Sequence, residues 1–153
     1  MTRWLDDDEQ RVWRAYLAVN RRLFAALDRQ MQDESGLPQT YYIILAMLSA
    51  APGRSLRMSE LAELVSSSPS RLSHAVDRLA ERGWVRREKD PHDRRGNRTV
   101  LTDEGWAVVE QSAPGHVRTV RENLFDLVTP EQLAVLDAVF GTVLAQLDGD
   151  EKR

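Results

Sequence analysis

A chain of 153 residues, 42% hydrophobic and 29% charged, holds one sizeable core, is too short for two ordinary domains and is not disordered in composition. Cysteine is absent, which excludes disulfides, thiolate nucleophiles, thiol redox switching and Cys-ligated zinc together. The net charge of −3 argues against a nucleic-acid partner only until it is divided: Arg54 to Arg98 holds eleven Lys or Arg against seven Asp or Glu, while the remainder holds ten against seventeen.

The N-terminal ten residues are polar and acidic, with no signal-peptide pattern, and the apolar run around Tyr41 to Leu48 is far shorter than the ~20 residues of a membrane span. A cytoplasmic chain with no membrane partner is expected. From Asp6 to about Asp33, Val12, Trp13, Tyr16, Leu17, Leu23, Phe24, Leu27 and Met31 recur at helical spacing, which predicts a long amphipathic helix ended by Gly36. Pro38 suits the first turn of a second, buried helix running to about Ser49, and Ala51-Pro52-Gly53 stops it.

A short helix is predicted from Met58 to Val65, then a serine turn. Ser68-Pro69 is an N-cap followed by a first-position proline, opening a helix to Arg82 that Gly83 terminates; Leu72, Ala75, Val76 and Leu79 form its buried stripe. Trp84 to Glu88 and Arg98 to Leu101 read as two short strands joined by a loop from Asp90 to Asn97. Thr102 caps a further long helix with a kink expected at Pro114, and Thr129-Pro130-Glu131-Gln132 is a capping box for a last one. The expected fold is mostly α with a small two-stranded β wing: a winged helix-turn-helix at 54–102, flanked by long helices at 1–35 and 103–153.

Two helices joined by a short turn and followed by a basic ribbon place DNA-binding chemistry in one stretch. The polar face of the second helix presents Ser70, Arg71, Ser73, His74, Asp77 and Arg78, short hydroxyls and long donors that reach base edges in a major groove. The ribbon carries Lys89, Arg94, Arg95 and Arg98, suited to the negative potential of a minor groove, and Asp93 stands two residues before Arg95, where it can orient that guanidinium. Arg54, Arg57, Arg86 and Arg87 add phosphate-contacting charge. A solvated helix face and a charged hairpin are the plain alternatives for either half alone.

His74, His92 and His116 lie too far apart in sequence for a metal site, no cofactor motif is present, and no Ser/His/Asp or paired-carboxylate arrangement falls at a usable spacing, so an enzyme is not expected.

Met58-Ser59-Glu60-Leu61-Ala62, Ser70 through Leu79, Arg82-Gly83-Trp84-Val85-Arg86-Arg87, and Asp93-Arg94-Arg95 followed by Leu101-Thr102-Asp103-Glu104-Gly105 together resemble the MarR (multiple-antibiotic-resistance regulator) family of bacterial winged-helix transcription factors. The resemblance implies a homodimer with intertwined first and last helices, a palindromic double-stranded-DNA operator, and Ser68, Ser70, Arg71, Ser73, His74 and Arg78 facing DNA. It also implies that Arg95 is the wing-tip arginine, held by Asp93. Trp84 departs from the family, where smaller aliphatic residues are usual at that place.

The wide apolar faces of the end helices call for a dimer partner independently, with folding back on their own domain as the alternative. Trp13, Tyr16, Tyr41, Tyr42 and Trp106 fall on three helices that converge in the family. They form a candidate pocket for a small aromatic or phenolic effector, or else ordinary core. The expected function is a transcriptional repressor relieved by such a ligand; the rival is a winged helix that binds an acidic protein partner without DNA.

Overall fold

The computed structural model describes residues 1–151, the last two by backbone alone. The chain divides into two compact units, one from Met1 to Val117 and one from Arg118 onward.

In the first unit, helix α1 (Asp7–Ser35) starts at a capping box: Asp6 Oδ1 accepts the Glu9 N–H at 2.8 Å and Glu9 Oε2 accepts the Asp6 N–H at 2.9 Å. Gly36, at φ 62°, closes it in the left-handed conformation. Only Leu27 and Met31 of α1 are buried. Val12, Trp13, Tyr16, Leu17, Val19 and Phe24 remain exposed.

Helix α2 (Gln39–Ala50) is apolar all round and buries Tyr42, Ile44, Leu45 and Leu48. Pro38 is its N-cap rather than part of its first turn, and because proline has no capping side chain, Asp28 of α1 accepts the Gln39 N–H instead at 2.9 Å.

Strand β1 (Ser55–Arg57), not anticipated from sequence, follows a left-handed turn at Gly53 and Arg54. It leads directly into helix α3 (Met58–Leu64), and Ser66, at φ 50°, turns the chain into helix α4 (Pro69–Glu81). Ser68 Oγ accepts the Arg71 N–H, and Leu72, Val76 and Leu79 are buried.

The ribbon is correspondingly larger than expected. Strands β2 (Val85–Asp90) and β3 (Asp93–Leu101) extend through most of the predicted loop, leaving only Pro91-His92 as the turn, with a bulge after Lys89. The sheet has three antiparallel strands in the order β1-β3-β2, with Arg57 opposite Arg98 and Glu88 on the other side of Arg98. The reason is pairing: β3 has two edges, and three residues of β1 satisfy the one the hairpin leaves open.

Helix α5 (Asp103–Asn123) begins where Thr102 Oγ1 accepts the Gly105 N–H at 3.1 Å and donates to the Gly83 carbonyl at 2.6 Å. It runs through Pro114 as one helix. The core joins α1 to α5 and the sheet through Met31, Leu37, Leu45, Leu48, Leu61, Leu72, Val76, Leu79, Val85 and Leu101, with Trp84 and Trp106 packed at its margin.

In the second unit, helix α6 (Pro130–Glu151) opens on the expected capping box: Thr129 Oγ1 accepts the Gln132 N–H and Gln132 Oε1 accepts the Thr129 N–H. Leu133, Val135, Val139, Phe140, Val143, Leu144 and Leu147 are all exposed along it. Among the described residues, no single helix is long and apolar enough to cross a membrane.

Candidate nucleic-acid interface

Helix α4 is held by its apolar stripe, so its opposite face is presented to solvent without strain. Ser70, Arg71, His74, Asp77 and Arg78 are exposed there. Arg71 and His74 make no side-chain hydrogen bond or ion pair among the described residues, whereas Arg78 pairs with Glu81 at 3.2 Å one turn on. Ser68 stands exposed at the helix start, its oxygen engaged as the cap.

Ser73 and Arg87 are engaged with each other. Arg87 Nη2 donates to Ser73 Oγ, to the Ser73 carbonyl and to Asp77 Oδ1, each at 2.9 Å, so strand β2 is clamped to α4. Ser73 is half-buried and Arg87 stays partly exposed, both engaged in this clamp.

At the wing, Lys89, Arg94 and Arg95 are exposed and their cationic groups have no partner among the described residues. Asp93 does not hold the Arg95 guanidinium. Its Oδ1 accepts the Arg95 backbone N–H at 2.9 Å, an Asx-type turn that fixes the backbone and leaves the guanidinium free. Arg86 is exposed but pairs with Glu88 at 2.7 Å.

The three remaining arginines are engaged by groups of the protein. Arg54 lies 3.9 Å over the Trp106 ring and 3.2 Å from Asp103. Arg57 Nε donates to Asp90 Oδ2, and Arg98 donates to the Ser55 hydroxyl at 2.9 Å and to the Ser55 carbonyl at 3.1 Å. Arg54, Arg57, Arg87 and Arg98, expected to contact phosphates, are thus each tied to groups of the protein itself, while all four side chains remain partly exposed. Their sheet and ring partners sit on strands or helices that sequence spacing does not bring together.

Asp90, singled out by no sequence signal, is the hub of these ties, its side chain fully buried. The His92 N–H bond, followed by Arg57 and Arg98, holds its carboxyl below the usual carboxylate range against the opposing effect of burial.

The five aromatic residues do not gather in one pocket. Trp13 and Tyr16 stack on each other on the exposed face of α1, ring centroids 5.8 Å apart. Tyr42 is buried against His116 and Trp106 lies under Arg54. Only Tyr41 lines the half-open cavity of about 580 Å³ that lies between α2 and α4. Phe24, Ile43, Ile44, Val65, Leu72 and Ala75 form the apolar part of that cavity, and Thr40, Ser66, Ser67, Ser68, Ser70, Arg71 and His74 form its polar rim.

A sequence profile described as MarR family matches residues 35–96. Among curated proteins, the transcriptional repressor MprA of Escherichia coli K12 is 24% identical over 123 residues, 80% of this chain and 69% of that protein. The HTH-type regulator PecS of Dickeya dadantii is 28% identical over 121 residues, 77% of this chain and 70% of that protein. Sco3205, a MarR family transcriptional regulator from Streptomyces coelicolor crystallised with DNA, superposes with a TM-score of 0.91 at 48% identity over 96% of this chain and 92% of its own. AbsC, a MarR family regulator from the same organism, gives 0.90 at 42% identity over 97% and 99%.

Proposed function

The chain belongs to the MarR family and is a DNA-binding transcriptional regulator rather than an enzyme, and on that premise we propose that it represses transcription as a homodimer on a palindromic operator. The observation that carries the reading is the pair of unengaged donors Arg71 and His74, with Ser70, on a well-capped helix beside a wing whose Lys89, Arg94 and Arg95 are equally unengaged. Arg71, His74 and Ser70 read base edges in the major groove, Arg95 enters the minor groove, and Lys89, Arg94 and Arg86 meet phosphates. Ser68 and Arg78 lie at the margins of this contact. Sco3205, nearly half identical, was crystallised with DNA, which supports the reading.

A second copy covers the exposed apolar faces of α1 and α6. Each large side chain so buried contributes about 1.5 kcal/mol or more, which exceeds what a monomer retains by leaving it in water. The helices at 1–35 and 103–153 thus serve dimerisation and the stretch 54–102 serves DNA, with the cytoplasm as the site of action. The cavity beside Tyr41 suits a small aromatic or phenolic anion. Its apolar wall takes the ring, and Arg71 and His74 at its rim take the charge, so binding there withdraws two base readers from DNA.

Mobility shifts on genomic fragments test the reading. Retention at low salt that falls steeply with added salt is expected. Failure to hold any duplex at low salt contradicts it, and favours a winged helix that binds an acidic protein.

A further inference from the structure

Asp90 occupies the join between the wing and the rest of its lobe. It ends β2, and its buried carboxylate is shared three ways: Oδ2 accepts from Arg57 Nε at 2.5 Å and lies 3.7 Å from Arg98 Nη1, while Oδ1 accepts the His92 N–H at 2.8 Å. Arg57 ends β1 and its N–H is taken by Glu60 of α3 at 2.9 Å, so the tie reaches the helix-turn-helix itself. Arg98 sits at the centre of β3 and also grips Ser55. One carboxylate thus fastens the wing turn to both other strands and to the start of α3.

The start of β3 lies close to this point. A Cβ on Gly96 would stand 3.3 Å from the Asp90 Cβ and 3.1 Å from Asp93 Oδ2, and that same Asp93 accepts the Arg95 N–H through its other oxygen. Asp90 also pairs with Asp93 across the hairpin, so the backbone that carries Arg95 starts from the strand pair that Asp90 closes. Burying a carboxylate against two guanidiniums yields little net stability after desolvation, so the arrangement is worth more for geometry than for holding the fold.

We propose that Asp90 is a positioning residue for DNA recognition, which by clamping Arg57 and Arg98 sets the angle at which the wing presents Arg95 to the minor groove. The inference rests on the wing reading above, and a double-mutant cycle separates the two. Affinities of the wild type, Asp90→Asn, Arg95→Ala and the double variant are measured by fluorescence anisotropy on a duplex that the wild type recovers from a random pool, with thermal melts alongside. Arg95→Ala should lose roughly tenfold in affinity and Asp90→Asn roughly three- to tenfold, with the double variant no more than about twofold weaker than Arg95→Ala alone.

Wild-type affinity for Asp90→Asn, or a double loss equal to the product of the single losses, overturns the proposal while leaving the wing reading intact. Unchanged affinity for Arg95→Ala removes the wing reading and the proposal with it. If Asp90→Asn melts below the assay temperature, Arg57→Lys, which keeps the charge and loses the Nε bond, takes its place in the cycle under the same criteria.

Discussion

What an arginine does in this protein depends on whether its fork of donors is already occupied. Arg71 is exposed and unengaged, so Arg71→Ala should leave the melting temperature unchanged and cost ~1 to 3 kcal/mol in specific DNA affinity if the contact is bidentate, with relaxed preference at one base position. Arg87→Ala should do the reverse in part: it strips three hydrogen bonds from Ser73 and Asp77 and should lower stability by about 1 kcal/mol, a charge-assisted bond discounted for partial exposure. Chemical denaturation beside binding isotherms distinguishes the two. Composition and spacing identified the basic surface, but could not sort its members. Arg87 meets residues ten and fourteen positions away only because α4 packs beside β2, and Arg98 one forty-three away only because β1 pairs with β3.

His116 belongs to the same scale. Burial against Tyr42, with Nδ1 unpartnered, holds its pKa below the ordinary 6.5. The unfolded chain therefore takes up this proton first, so the stability His116 contributes is present above pH 6.5 and is lost as pH falls from there through the folded value. Melts between pH 7.5 and 5, ordinary laboratory values about a unit either side of the free imidazole, should show a decline that His116→Gln flattens. An equal slope in the variant would contradict the assignment. Asp90, whose folded pKa is lowered, is protonated first in the unfolded chain; its stabilising contribution is present above the ordinary carboxylate value and is lost below it, a separate acid window.

Among elements, the junction of wing and α5 is the least forgiving. Gly105 lies so close to the sheet that a Cβ would stand 2.1 Å from the Trp84 carbonyl oxygen and 2.7 Å from Leu101, so Gly105→Ala must displace backbone. A loss of roughly 2 to 3 kcal/mol is expected in urea unfolding, the scale of an overpacked core. Gly83 is different: space surrounds it, and its φ of 74° makes Gly83→Ala a matter of backbone strain alone, about 1 kcal/mol. The helices were legible because caps and apolar periodicity are local signals, as Ser68-Pro69 and Thr129 show. Strand β1 was not, since three residues carry no period and Ser55–Arg57 become a strand only by pairing with Val100 to Arg98. The predicted wing loop shrank for the same reason: Arg94 and Arg95 look like loop residues by composition and are drawn into β3 by the hairpin.

At the scale of the whole molecule, the basic stretch sits in an otherwise acidic chain, and two helices expose apolar faces that α4 and the sheet do not need. Light scattering should therefore give twice the chain mass, and Phe140→Asp on α6 should shift it toward one chain; a wild-type monomer would contradict the dimer. A dimer presents two copies of Arg71, His74 and Arg95 related by a twofold axis, so the DNA it prefers must carry the same symmetry. Selection of bound duplexes from a random pool tests this most directly. The predicted result is an inverted repeat with half-sites about one helical turn, ~10 base pairs, or a multiple of it apart, lost when Arg71 is replaced by alanine. Recovery of unrelated sequences, or of a single half-site with no symmetric partner, would contradict the account.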